Sequence, residues 1–255
     1  MLLAVDIGNT NTVVGVYDNE RLCDYFRMAS QHAITDDECG FFLIGLLQRM
    51  KVNAADIDRV VIASVVPKLT PIYERMSEKY FSVTPLVVSS KIRLPIKIAY
   101  EDPTAVGADR IANASAAFVK YGGPIIIVDY GTAITFDVIT GDGVYWGGVI
   151  APGPQTAGGE LAGKAARLFE VRVEKPDRII GRSTAESLKS GLFYGTIGLV
   201  DAIISLIRNE LNQDARVIAT GGLVGEFAEY SDYIETCFPA LTLEGLKIIA
   251  DFQSS

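Results

Sequence analysis

The chain is poor in the residues that build most metal and redox centres. Among its 255 residues are one histidine, His32, and three cysteines, Cys23, Cys39 and Cys237. A single histidine excludes clustered-His metal chemistry and reads as a solvated loop residue. Three widely spaced cysteines form neither a zinc site nor a disulfide framework, and they fit a reducing compartment. No cluster of lysine and arginine offsets a net charge of -8, which argues against a nucleic-acid surface. Low-complexity tracts, long charge runs and Gly/Ser linkers are missing, so the chain should fold throughout. The N-terminal apolar run has no basic segment before it and breaks at Asp6, unlike a signal peptide. No stretch reads as 18 uncharged apolar residues, so no transmembrane helix is expected. The expected location is the cytoplasm, without nucleic-acid or membrane partners.

What the chain does have begins at once. "MLLAVDIGNTNTVVGVYD" runs an apolar strand into Asp6, passes small polar residues from Gly8 to Thr12, and turns apolar again at Val13. Nearly half a chain later the pattern returns in "IIIVDYGTAITFDVITGDG", where Val128-Asp129-Tyr130-Gly131 matches Val5-Asp6-Ile7-Gly8 and Thr135 falls opposite Thr12. Each copy reads as a hairpin with a polar tip. The shared Asp-x-Gly offset at half-chain spacing points to an internal duplication.

The remaining segments interleave strands with helices. "ERLCDYFRMAS" alternates as a third strand. "DDECGFFLIGLLQRM" places Phe41, Phe42, Leu43, Leu46 and Leu47 at helical spacing behind acidic first-turn residues. "DRVVIASVVP" reads as a buried parallel strand, "LTPIYERMSEKYF" as a helix with Pro71 near its start, and "TPLVVSS" as another strand. In the second half a capped helix and then a long one are expected over "PDRIIGRSTAESLKSGLFYGTIGLVDAIISLIRNEL", a strand over "ARVIATGG", and a closing helix over "LTLEGLKIIADF". The fold class is α/β, with two duplicated lobes, 1-121 and 122-255, and a cleft between them.

The polar tips suit phosphate. Small residues such as Gly8, Asn9 and Thr10 allow close backbone approach, and Thr and Asn add donors. Such turns form anion-binding concavities without a lysine. A carboxylate beside phosphate is repulsive unless a cation intervenes, so Asp6 and Asp129 imply metal-mediated binding, with magnesium the usual choice. The pair Gly221-Gly222 in "ATGGL" leaves flat backbone for a purine and ribose to approach.

Two DxG hairpins and a late GG loop resemble the actin-like ATPase superfamily. More closely, "DIGNTNTVVGVYD", "YEDPTAVGADRIANA", "VDYGTAITFDV", "GGVIAPG", "TAESLKSGLFYG" and "VIATGGL" resemble type III pantothenate kinases, also called the Bvg accessory factor family, over essentially the whole chain. The resemblance implies duplicated actin-like (ribonuclease H-like) lobes and ATP-dependent phosphorylation of pantothenate, the first step of coenzyme A synthesis. It implies a homodimer with the site shared between subunits. It makes Asp6, Ile7, Gly8, Asn9, Thr10, Asn11, Thr12 and Val13 the ATP loop, with Asp6 holding magnesium directly or through water, and Thr132 a further ATP contact. Asp109 becomes the proton acceptor. Tyr100, Gly107, Ala108, Asp109 and Arg110 become pantothenate contacts, joined by Thr184 from the partner subunit. Asp129 becomes the ligand of potassium or ammonium.

Plain structural readings stand beside these. Asp109 suits a helix N-cap, Arg110 a surface ion pair, and Ser183 or Thr184 a capping box. One segment departs from the family pattern. In "PQTAGGELAGKAARLFEV", Ala157 stands where Ser is usual, Gly158, Gly159 and Gly163 stand where helix formers are usual, and Phe169 replaces Pro. Each interior Gly costs a helix about 1 kcal/mol relative to Ala, which predicts a weakened helix there. Two rival functions remain: another small-molecule kinase of the superfamily, and a nucleotide-binding regulator without catalysis.

Overall fold

A computed structural model describes residues 1–254. The chain forms two compact units: Met1–Lys120 together with the residues from Leu241 onward, and Tyr121–Ala240. The boundary at 120/121 lies beside the sequence expectation of 121/122. The C-terminal residues do not follow that expectation, because the closing helix packs in the first unit.

In the first unit, strands β1 (Leu2–Ile7), β2 (Asn11–Asp18), β3 (Arg21–Ala29), β4 (Arg59–Ser64) and β5 (Leu86–Val87) lie in the order β3-β2-β1-β4-β5. β1 runs antiparallel to β2 and parallel to β4. Alternate residues Leu3, Val5 and Ile7 enter one core cluster with Cys39, Leu43 and Leu47 of helix α1 (Asp36–Arg49) and Tyr73 and Met76 of α2 (Thr70–Phe81). Helix α1 starts at a capping box, in which Glu38 N–H donates to Thr35 Oγ1 at 3.2 Å and Thr35 N–H donates to the Glu38 carboxylate at 2.9 Å. Its helical stripe is narrower than the sequence suggested: Leu43 and Leu47 face the core, whereas Phe41 is 80% exposed. The position Phe41 was expected to fill is taken by Gly40, which lies against the Tyr80 ring.

A two-residue strand, β6 (Lys97–Ile98), and helix α3 (Ala108–Tyr121) follow. Helix α7 (Leu241–Ser254) packs on β1, β2 and β4. Leu243 sits against Gly15 of β2, and Gly245 approaches the Ala112 backbone of α3 so closely that no Cβ fits. Lys247, 5% exposed, pairs with Glu20 and with Asp251, which also takes Arg59 at 2.7 Å. Both faces of β1 are therefore covered, as its unbroken apolar run requires.

The second unit repeats the plan. Strands β7 (Ile125–Tyr130), β8 (Ala133–Ile139), β9 (Val144–Pro152), β10 (Arg216–Thr220) and β11 (Thr236–Cys237) lie in the order β9-β8-β7-β10-β11, with the same strand directions. β1 and β7 share one burial pattern, in which only the fifth residue, Asp6 or Asp129, escapes full burial. The repeat slips by one residue at the tip. Asp6 pairs with Val13 but Asp129 pairs with Thr135, so the residue matching buried Thr12 is buried Ile134, not Thr135. The second turn is one residue shorter.

Helix α4 (Pro154–Lys164) forms despite its three glycines. Residues 165–183 carry no helix; the capped helix and the long helix expected after them are one continuous helix, α5 (Thr184–Leu211), which starts at the cap Ser183. By length and composition alone α5 passes for a helix that could cross a membrane, although Asp201 interrupts its apolar run. Its apolar content serves a core face, since Leu192, Phe193, Val200 and Ile204 pack with Val128, Phe136 and Phe227. Asp201, midway along it, accepts hydrogen bonds from Ser231 Oγ at 2.5 Å and Asp232 N–H at 3.3 Å. The short helix α6 (Val224–Phe227) follows β10 directly.

Candidate functional site

The first DxG turn is built by strand ends. β1, the central strand, delivers Asp6 half-buried near its C-terminal end, and Gly8 N–H donates to Asn11 O at 3.0 Å to close the hairpin. A Cβ on Gly8 would lie 2.9 Å from Asn11 O, so the turn excludes any side chain there. Asn9, Thr10 and Asn11 are exposed and Val13 is half-buried. Ile7 and Thr12 are fully buried. Their side chains are closed off from solvent, so of the eight residues expected to form an ATP loop these two serve the fold. Ile7 contributes its carbonyl to Val65 N–H at 3.0 Å. Thr12 joins a hydroxyl network with Ser30, at 2.9 Å, and the Tyr73 phenol. Tyr73 also bonds Cys39, whose thiol burial pushes up to about 12. Cys39 is thereby an inert core thiol.

The residues expected to hold the acceptor gather at the start of α3. Gly107 precedes the helix, so Asp109 is its second residue and not its N-cap. The Asp109 carboxylate accepts Arg110 N–H at 2.8 Å and folds over Gly107, where a Cβ would meet Oδ1 at 2.5 Å. Asp109 as a residue is half-buried, but its carboxyl is desolvated, and that burial raises its pKa against the lowering effects of the Arg110 N–H and charge. A carboxylate so raised is a better base than a solvated one. Arg110 and Ala108 are buried, and Tyr100 is half-buried on the loop ahead of the helix. The buried guanidinium sets aside the reading of Arg110 as a surface ion pair.

In the second unit, Asp129 stands at the end of β7 beside the turn carrying exposed Thr132. Gly131 N–H donates to Ala133 O at 3.0 Å. Gly221 follows β10 with φ of +98°, and an added Cβ would press on Asp129 Oδ1 and lie 2.5 Å from Tyr130 O. The structure thus brings Asp129 and Gly221 into contact, while Gly222 is exposed beside them. Thr184 is the exposed first residue of α5. Ser183 takes the cap by accepting Glu186 N–H at 3.2 Å, leaving the Thr184 hydroxyl outside that duty.

No group of three or more His, Cys, Asp or Glu side chains suited to a metal occurs among the described residues. Lone carboxylates at polar turns fit cations that keep water or nucleotide oxygens as most of their ligands, which is how magnesium is commonly held.

Sequence reasoning missed Ser30 and Thr156, which bond the two turns from behind. Ser30 Oγ donates to Gly8 O at 2.6 Å, and Thr156 Oγ1 donates to Thr132 O at 2.7 Å. The available signal was a hydroxyl residue shortly after each unit's third strand.

Two sheets of matching topology, each with an Asp-bearing strand running into a small-residue turn, define a duplicated α/β fold of the actin-like kind. The comparisons agree. A Baf family transcriptional activator from Campylobacter jejuni superposes with a TM-score of 0.60 over 99% of this chain and 98% of its own, at 21% identity. An activator of 2-hydroxyisocaproyl-CoA dehydratase from Clostridium difficile, with bound ADPNP, does so at 0.54 over 99% and 97%, at 12% identity. The model of the type III pantothenate kinase family matches residues 2–206. Type III pantothenate kinases of Shouchella clausii and Geotalea uraniireducens are 45% and 44% identical, each over 98% of this chain and over 99% and 97% of their own lengths. The chain belongs to the type III pantothenate kinase family, a family of kinase enzymes.

Proposed function

We propose that this protein transfers the γ-phosphoryl group of ATP to the 4′-hydroxyl of pantothenate, opening coenzyme A synthesis. The observation that carries the reading is full-length identity of about 45% to a type III pantothenate kinase, with the loop from Asp6 to Val13 present without departure. In this reading the exposed backbone of Gly8, Asn9 and Thr10 and the Thr132 hydroxyl hold phosphate oxygens, and the glycine pair at 221–222 lies under the nucleoside. The nucleotide bound to the Clostridium activator is in keeping with that use of the fold. Magnesium at Asp6, and potassium or ammonium at Asp129, supply positive charge against the phosphates when bound.

Tyr100, Gly107, Ala108 and Arg110 position pantothenate, with the buried Arg110 guanidinium suited to its carboxylate. Asp109 orients the acceptor hydroxyl. As the hydroxyl oxygen bonds to the γ-phosphorus and the bond to the β–γ bridging oxygen breaks, Asp109 takes the hydroxyl proton and ADP leaves. Phosphoryl transfer passes through a loose transition state, so orientation contributes more than basicity and a carboxyl raised by burial is sufficient. A homodimer fits the outer face of α5, where Gly191, Gly195 and Gly198 face open space and Leu206 is 66% exposed. It would let Thr184 serve the partner's site. All three cysteines are free, in keeping with a cytoplasmic enzyme.

The test is a coupled ADP-release assay with pantothenate, magnesium and potassium, run beside sugars and acetate. Turnover with pantothenate alone is expected. Turnover only with a sugar would move the reading to another kinase of the superfamily, and nucleotide binding without turnover would favour a regulator.

A further inference from the structure

We propose that Ser30 and Thr156 are positioning residues for nucleotide phosphate, each holding one unit's phosphate turn by a carbonyl oxygen. The inference rests on the phosphate role proposed above for both turns. In the first unit Ser30, directly after β3, makes three bonds at the turn. Its N–H donates to Thr10 O at 2.9 Å, its hydroxyl donates to Gly8 O at 2.6 Å, and its Oγ lies 2.9 Å from Thr12 Oγ1. The Ser30 proton is committed to Gly8, so the Thr12 hydroxyl donates to Ser30. Behind Thr12 the network continues to Tyr73 and Cys39 in the core.

In the second unit the same task falls to residues directly after β9. Gly153 N–H donates to Thr132 O at 3.1 Å and Thr156 Oγ1 donates to the same oxygen at 2.7 Å, so both lone pairs are occupied. Gly153 packs so tightly on Gly131 O and Thr132 O that it cannot carry a Cβ. A serine in a loop and a threonine in a helix thus bind the same kind of group on the same kind of turn. The carbonyls differ by position, Gly8 O at the first residue of one turn and Thr132 O at the second of the other; either bond alone would pass for ordinary loop or helix-start chemistry, but a hydroxyl clamp on a turn carbonyl in both units points to the turn.

The physical effect is on which way the peptide units face. In a trans peptide the carbonyl and the following N–H point in opposite directions. Holding Gly8 O on Ser30 turns Asn9 N–H outward, and holding Thr132 O on Thr156 fixes the peptide beside the Thr132 side chain. Carbonyl oxygens that would repel a phosphate are turned away and saturated. A turn fixed before binding loses less entropy on binding.

The experiment titrates ATP, inorganic triphosphate and adenosine onto the wild type, Thr156→Val, Thr156→Ser and Ser30→Ala, with melting curves alongside. Thr156 is exposed, so Thr156→Val should melt like the wild type. It should bind ATP and triphosphate about 3- to 10-fold more weakly, the worth of a typical hydrogen bond, and bind adenosine as before. Thr156→Ser keeps the donor and should bind like the wild type. Ser30→Ala should weaken the same two ligands and also lower the melting temperature, because Thr12 loses its acceptor. In turnover, the KM for ATP should rise while that for pantothenate holds. Wild-type ATP affinity in Thr156→Val, or equal weakening of adenosine and ATP, would overturn the proposal. Loss of stability in Ser30→Ala with unchanged triphosphate affinity would overturn the Ser30 part. A wild type that binds no nucleotide would remove the phosphate reading itself, and this proposal with it.

Discussion

Gly221 and Asp129 occupy one another's space: the end of β10 comes so near the carboxylate at the end of β7 that a single added methyl would collide with Asp129 Oδ1 and the Tyr130 backbone. Gly221 also holds φ at +98°, where side chains bring strain. Gly221→Ala should therefore cost about 1–3 kcal/mol in stability and displace Asp129. The expected outcome is a lowered melting temperature together with weakened ATP binding by calorimetric titration. A variant unchanged in both would mean that the strands part at no cost.

Asp129 itself should control the response to monovalent cations. Activity should require potassium or ammonium, with sodium poor because it is smaller and holds its water more tightly. Asp129→Asn should abolish the difference between the salts and most of the turnover. Rates measured in matched sodium and potassium buffers decide this, and equal wild-type rates would count against the role.

Asp109→Asn should lower kcat by about 10²-fold or more while ATP affinity stays at the wild-type value. Its stability effect has the opposite sign to that of a paired surface carboxylate. Burial raises the folded-state pKa, so ionised Asp109 destabilises the fold at neutral pH; the cost fades as pH falls through the raised folded-state value and is gone below the ordinary carboxylate range. Asp109→Asn should melt no lower than the wild type at pH 7. The same shift moves the acid limb of the kcat profile above the range of a solvated Asp. An acid limb at the solvated-carboxylate position would remove Asp109 from the proton transfer.

Gly245→Ala should destabilise through packing alone. The new methyl would meet the Ala112 backbone of α3, and overpacking of this kind typically costs about 1–3 kcal/mol. Thermal melts of the variant should show the loss, whereas Gly159→Ala, inside α4 with open space around it, should melt at or slightly above the wild type.

The duplicated hairpins were legible because Asp-x-Gly and the flanking apolar runs are local patterns. The one-residue slip between copies was not. Sequence offset aligned Thr12 with Thr135, whereas strand register pairs Asp129 with Thr135 and leaves Ile134 in the buried place of Thr12. A shorter turn leaves no mark until hydrogen bonding sets the register. Phe41 was misjudged because helical spacing cannot say which side of an apolar run meets the core, and Tyr80 closing over Gly40 decided it. Asp109 suits a cap in sequence, but the helix begins one residue earlier, at Ala108. Ser30 and Thr156 escaped notice because their significance lies in contacts 22 and 24 residues away in the chain.

The return of α7 to the first sheet sets an order on biosynthesis. As the chain is made from its N-terminus, strands β1 to β5 exist long before the helix that covers their second face. Every residue of the second unit is translated in between. The second unit is continuous in sequence and can complete its own core first. The first unit must wait with Leu2, Ala4 and Gly15 uncovered until Leu243 and Leu246 arrive, and Lys247 has its carboxylate partner Glu20 in place well before it is made. A nascent chain halted before α7 therefore presents an apolar sheet face, the kind of surface that general chaperones bind and that aggregation exploits.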